Sequence, residues 1–147
     1  MIALNLTQLY ADDFFLIRAN KDLAILELTF RQHPDTEHFR NAYNLAFSAA
    51  LSKDIKYWLT DAQQIKFMER ENQQWLMAKM APLLKSYTLT RFAIVMAPEC
   101  FVMTNPNQVY EKPTNPSETQ TPGVIKVHFD KEAAYSWLFN GQEVKLT

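Results

Sequence analysis

Four side chains that could carry acid–base chemistry, Arg31, His33, Asp61 and Glu99, each follow closely on an apolar run of strand type. Ligands of open parallel sheets sit beyond the carboxyl ends of the strands, so these loop residues could meet at one site. A histidine beside a carboxylate can serve as a general base. Each residue also has a plain structural role. His33 precedes Pro34 in a turn, Asp61 can cap the turn after it, and Glu99 stands where the dipole of a first helical turn favours an acid. These four are the weak candidates for a catalytic set.

Other chemistries find less support. Cys100 follows Pro98-Glu99, where a helix N-terminus would lower a thiol pKa, but Glu99 opposes that shift, and a buried inert cysteine is the expectation. A single cysteine excludes an internal disulfide and a cysteine-based zinc cluster. His33 and His38 are separated by Pro34 and do not make the i, i+4 pair of a helical metal site. With 2 glycines, no glycine-rich phosphate loop can be built. No metal and no cofactor are expected.

Composition narrows the partners. The 147 residues carry 15 basic and 16 acidic side chains, a net charge of −1, with no basic stripe. Nucleic-acid binding needs a positive field to release counterions, so it is not expected. No apolar run approaches the ~18 residues of a membrane span. The start, MIALNLTQLYADDFF, lacks a basic region, a long apolar core and a small-residue cleavage site, and so reads as mature sequence of a cytoplasmic protein.

Alternating runs and turn signals give the elements that would position these residues. Asp13–Arg18 and Leu23–Phe30 read as a hairpin around Asn20-Lys21-Asp22. Pro34 with Asp35 or Thr36 opens a helix to about Leu51, with Phe39, Tyr43, Ala46, Phe47 and Ala50 on its apolar face. Ile55–Thr60 is a strand, Phe67–Ser86 a long helix, and Arg91–Met96 a central strand, apolar on both faces. Ala97–Glu111 reads as a short broken helix. Residues 105–123 hold four prolines and read as a long loop. Val124–Phe129 is the last strand, and Asp130 caps a final helix that Asn140-Gly141 ends.

Strand and helix alternate, which predicts a single α/β domain over residues 1–147. Its sheet should be five-stranded, mixed and mostly parallel, with the first strand antiparallel and the helices mainly on one face. The other face would then be bare. Lys56, Trp58 and Thr60 fall on one side of their strand, and Lys126 and His128 on one side of theirs. An aromatic among polar residues suggests a contact surface, with Trp58, Lys56 and His128 as partner-binding residues and a homodimer through this face. The alternatives are that the faces of the strand are reversed, with Trp58 inside, or that the apolar start of the chain, MIALNL, covers the face.

The runs YWLTDAQQIKFMEREN, QWLMAKMAPLLKS with RFAIVMAPE, and FDKEAAYSWL, in this order of elements, resemble the STAS superfamily, the anti-sigma-factor-antagonist-like fold. Within it the chain is similar to the STAS-like proteins of uncharacterised function found in many bacteria. The resemblance covers about Phe14 to Leu138. Phospho-switched members carry Asp-Ser-Ser-Gly where a strand meets its helix, and the helix N-terminus accommodates the phosphoserine. Here Glu69 stands in the Asp position, and Arg70, Glu71 and Asn72 replace the serines and the glycine, so this is a degenerate switch position. The resemblance therefore implies a non-catalytic STAS-like module that binds a protein partner or a small apolar ligand, without the phosphorylatable serine. The rival expectation is an enzyme with a His/carboxylate site at the strand ends.

Overall fold

The computed structural model of the chain describes residues 2–86, 88–104, 124–142 and 144–146. The proline-rich run 105–123 lies outside the described residues. The elements are β1 (Ile2–Leu4), β2 (Thr7–Ala11), β3 (Phe15–Asn20), β4 (Ile25–Phe30), α1 (Thr36–Ser52), β5 (Tyr57–Ala62), α2 (Arg70–Lys85), β6 (Arg91–Met96), α3 (Pro98–Thr104), β7 (Val124–His128), α4 (Lys131–Leu138) and β8 (Val144–Leu146). None of the described helices is long and apolar enough to cross a membrane.

The hairpin forms where the turn residues place it. Asn20 Oδ1 accepts a hydrogen bond from Leu23 N (2.9 Å), closing the turn between β3 and β4. Ala24 is held at φ 55°, a region that residues with a Cβ rarely enter. Its carbonyl accepts from Lys56 N and Tyr57 N (2.8 and 2.9 Å), which fixes the start of β5 beside β4. From β4 onward each strand runs parallel to the next, in the order β2-β3-β4-β5-β6-β7. Strands added in one direction by right-handed crossovers put α1, α2 and α3 on the same face. α4 follows the last strand, is not a crossover, and packs on the other face against β5, β6 and β7.

The fold is thus the expected α/β domain with sequential order and helices mainly on one face, but the strand count is higher. The main sheet has six strands, because β2 pairs antiparallel with β3, and β1 and β8 form a separate parallel pair. All five residues of β2 are exposed, so no apolar alternation marks it in the sequence. α2 begins at Arg70 rather than Phe67, because Glu69 is extended (φ −64°, ψ 143°) and ends the loop.

The bare face is the main correction. Parallel register sets Trp58 beside Phe92 and Ile125, on the same face as Leu26, Leu28 and Val127. Trp58 is 0% exposed under α1, with ring contacts to Tyr43, Phe47 and Phe92. Its Nε1–H and the Tyr43 hydroxyl both donate to Thr60 Oγ1 (2.9 and 3.0 Å), so the buried polar atoms are paired. The opposite face carries Tyr57, Leu59, Lys126 and His128, and it is covered. Leu4 is buried there with Leu59, Ala93, Tyr135 and Leu138, and Leu6 and Val144 pack alongside. The apolar start of the chain and α4 therefore close this face. Lys56 is exposed ahead of β5, while His128 is buried with its ring 5.4 Å from that of Trp137. Trp58, Lys56 and His128 do not form one surface, and no dimer can use Trp58 without unfolding its cover.

Candidate functional site

Two polar places stand at or near the carboxyl ends of the parallel strands, on opposite faces of the sheet. The first is a cleft between the loop after β4 and the loop after β5. Its empty volume, open to solvent, is about 290 Å³. Pro34, Phe39, Ile65, Phe67 and Met68 supply apolar lining. His33, Thr36, Glu69 and Asn72 supply the polar part. Two helices start here, because α1 and α2 both begin at this end of the sheet.

Local bonding shapes the cleft. Asp35 caps α1, accepting from His38 N (2.8 Å). The Asp35 side chain also meets His38 Nδ1 (2.7 Å), and His38 stacks on Phe14. Lys66 N donates to His33 Nδ1 (3.2 Å), joining the two loops across the cleft floor. That bond leaves the ring proton on Nε2. The His33 ring lies 4.9 Å from the ring of Phe67, which is 43% exposed. Asn72 Oδ1 accepts from Arg40 Nε (3.2 Å) and Asn72 Nδ2 donates to Thr36 Oγ1 (3.4 Å), so α2 is tied to α1 beneath the cleft.

Glu69 and Asn72, which with Arg70 and Glu71 fall at the switch position in the sequence resemblance, line the edge of this cleft. Glu69 is the N-cap of α2 and its side chain makes no capping bond. Arg70, Glu71 and Asn72 form the first turn, with Asn72 turned inward and the other two exposed. Residues 61–74 contain no serine, threonine or tyrosine.

The proposed catalytic set does not assemble. His33 faces the cleft, on the side of α1 and α2. Asp61 stands in register with Val95, on the α4 side. Arg31 is exposed and donates to the Asp12 carbonyl (3.0 Å). Glu99 is exposed in the first turn of α3. No hydrogen bond or ion pair among the described residues joins any two of the four. Cys100 is buried beside them in sequence only.

The second polar place was not foreseen. Glu27, in the middle of β4, is 1% exposed. Its carboxylate accepts from Arg18 on β3 and from the Tyr135 hydroxyl on α4, and meets Lys131 Nζ at 3.2 Å. Thr29 Oγ1 also donates to it (3.3 Å). Burial would raise this carboxyl, yet Lys131, Tyr135 and Arg18 more than offset it and hold it below its ordinary value. Asp61 stands next to the cluster, with Lys131 Nζ at 3.9 Å. There burial dominates and pushes the carboxyl up, against the opposing pull of Gln63 N and Lys131. Burial, the Glu27 charge and the bond to Glu27 raise the Tyr135 hydroxyl well above its usual range. The sequence did hold a signal: a lone Glu inside LAILELTF, directly across a hairpin from Arg18. A charge in an apolar strand requires partners.

No family model matches the chain, and no curated protein matches it. Among solved structures it is similar to an uncharacterised protein of the DUF3478 family from Shewanella loihica PV-4, with a SpoIIAA-like fold. The two share 19% identity over 91% of this chain and 92% of that one, with a TM-score of 0.48.

Proposed function

We propose that the protein is a non-catalytic STAS-like binding module whose site is the cleft between the loops after β4 and β5. One observation carries this reading: the strand-end cleft is lined by His33, Thr36, Glu69 and Asn72 beside the exposed Phe67 ring, while Arg31, His33, Asp61 and Glu99 do not meet there. The ligand is a small, mainly apolar molecule or the side chain of a protein partner. The start of α2 offers no hydroxyl, so occupancy is not gated by a phosphoserine.

Native mass spectrometry and affinity capture of the wild type beside Phe67→Asp test this. Phe67 is an exposed wall of the cleft, so Phe67→Asp should keep the fold and lose the retained molecule or partner. Retention that is the same in both proteins would place binding elsewhere.

A further inference from the structure

The turn that ends α4 is a chemical weak point that the fold holds closed. Asn140-Gly141 is the one Asn-Gly pair in the 147 residues. Asparagine is among the thermolabile side chains. Its carboxamide is open to attack by the backbone nitrogen of the next residue, and a glycine there sets no Cβ in the way. Both residues are exposed, so water has access. The chemistry needs only water. Gly141 N gives its proton to solvent and forms a bond to Asn140 Cγ. The Cγ–Nδ2 bond breaks and the nitrogen leaves as ammonia. Water then opens the succinimide ring at either carbonyl, which leaves aspartate or isoaspartate in place of Asn140.

In the folded chain the groups that must move are tied. Asn140 (φ 63°) and Gly141 (φ 83°) are both left-handed. Asn140 N donates to Trp137 O (3.2 Å) and Gly141 N to Ser136 O (2.6 Å), the paired bonds of a Schellman cap. The attacking nitrogen therefore has its proton engaged. The carboxamide is held as well, because Asn140 Oδ1 accepts from Arg91 Nη2 (2.8 Å). Arg91 Nη1 donates to Trp137 O, and the guanidinium lies 5.1 Å from the centre of the Trp137 ring. One side chain of β6 thus grips the end of α4. The Arg91 bond also draws electrons from Cγ, which favours attack, but with both reacting groups tied their position decides. We propose that Asn140-Gly141 is a latent deamidation site, closed by its Schellman cap and by Arg91 and opened when the end of α4 lifts from β6. The rate in the folded protein is then the rate in the unfolded chain multiplied by the fraction of time that the turn is open. The two products differ in effect. Aspartate keeps the main chain and puts a carboxylate on Arg91. Isoaspartate adds a methylene to the main chain just ahead of β8 and moves Gly141 N off Ser136 O.

Wild type is incubated in mildly alkaline buffer, with and without urea above its unfolding midpoint. The peptide that holds Asn140 is resolved into its amide, aspartyl and isoaspartyl forms by chromatography and mass spectrometry. Conversion should be at least about tenfold slower without urea, the ratio that ~1.4 kcal/mol of turn opening gives. Folded Arg91→Leu should convert several-fold faster than folded wild type, while the two unfolded chains convert alike. Arg91→Lys keeps the stem and the charge but lacks the fork that holds Trp137 O and Asn140 Oδ1 together, so it should show the same acceleration if Arg91→Leu does not fold. Unfolded wild type that gives no product at Asn140 would end the proposal, since the site would not be reactive. Equal rates with and without urea would overturn closure by the turn. A folded Arg91 variant no faster than wild type would overturn the role of Arg91.

Discussion

Glu27→Gln measures what the buried carboxylate contributes to holding α4 on the sheet. Gln keeps the volume and one acceptor oxygen, so the Tyr135 hydroxyl still has a partner. What disappears is the negative charge between Arg18 and Lys131. Removing one member of a buried ion pair costs about 3–5 kcal/mol when the remaining charge stays buried. The Arg18 and Lys131 side chains are 24% and 28% exposed, so water recovers part of their hydration. The expected loss is therefore at the bottom of that range, ~3 kcal/mol. Against a domain stability of about 5–15 kcal/mol this is easily read from urea unfolding. Tyr135→Phe removes a hydrogen bond to a charged group and should cost about 1.5–3 kcal/mol. The double variant should fall short of the sum by about 1 kcal/mol, since the two groups touch.

The pH dependence supplies the sharper check. The Glu27 carboxyl is held below its ordinary 4.5 in the folded protein. Its contribution is therefore present above that value and lost as pH falls through the lower, folded-state value. Wild type and Glu27→Gln should differ most near neutrality and converge in acid below about pH 4.5. A loss below ~0.5 kcal/mol at pH 7, the range of a neutral surface change, would refute the ion-pair account. So would a gap that stays constant into acid.

Asp61→Asn should raise the urea midpoint at pH 7. Burial pushes the Asp61 carboxyl up, so its ionised form weakens the fold, and the gain should vanish below its ordinary 3.8, where wild-type Asp61 is protonated folded or unfolded. A lower midpoint at pH 7 would mean that its contact with Lys131 outweighs burial. Trp58→Ala should cost about 3–5 kcal/mol and leave the light-scattering mass of the folded protein unchanged, because Trp58 is a core residue. A change in mass at unchanged stability would restore it as a contact residue. Incubation with cell extract and ATP, followed by peptide mapping, should recover no phosphate between Asp61 and Gln74. Phosphate on Thr60, just upstream, would revive a switch, against the burial of its hydroxyl under Tyr43 and Trp58.

The legible parts of the fold were those where pattern and punctuation agree. FAIVM is an unbroken apolar run and forms β6, an interior strand between β5 and β7; Asp35 and Asp130 sit before helical periodicity and cap α1 and α4. The face of β5 was not legible, for a physical reason. A strand buried on both sides has no alternation to orient it, and Trp58, Leu59 and Thr60 are all 0% exposed. Lys56 suggested a polar side, yet it lies before the strand begins. β1 and β8 are three residues each and pair only because the chain ends meet over α4, which no local pattern announces. At the site, the loops after β4 and β5 were placed correctly, and His33 does line the cleft. That Asp61 falls on the opposite face depends on register with β6, which a single sequence does not contain.

The two polar places differ in a way that separates structure from binding. Every partner of Glu27 comes from the domain itself: Arg18, Thr29, Lys131 and Tyr135 surround one carboxylate that solvent barely reaches. Such a cluster, in which Arg18 Nε is buried without a partner, fixes the register of α4 against β3 and β4 and closes the Glu27 carboxylate to a ligand. The cleft is the opposite case. Among the described residues nothing accepts from His33 Nε2 or the Thr36 hydroxyl, and both stand beside the exposed Phe67 ring. Sequential strand order explains why the cleft lies there. Right-handed crossovers bring α1 and α2 side by side on one face, so the loops that begin them must meet at the carboxyl ends of β4 and β5. The junction offers this geometry whatever side chains stand in it. Its chemistry is then set by the few side chains that stand in it, here neutral donors and one acid.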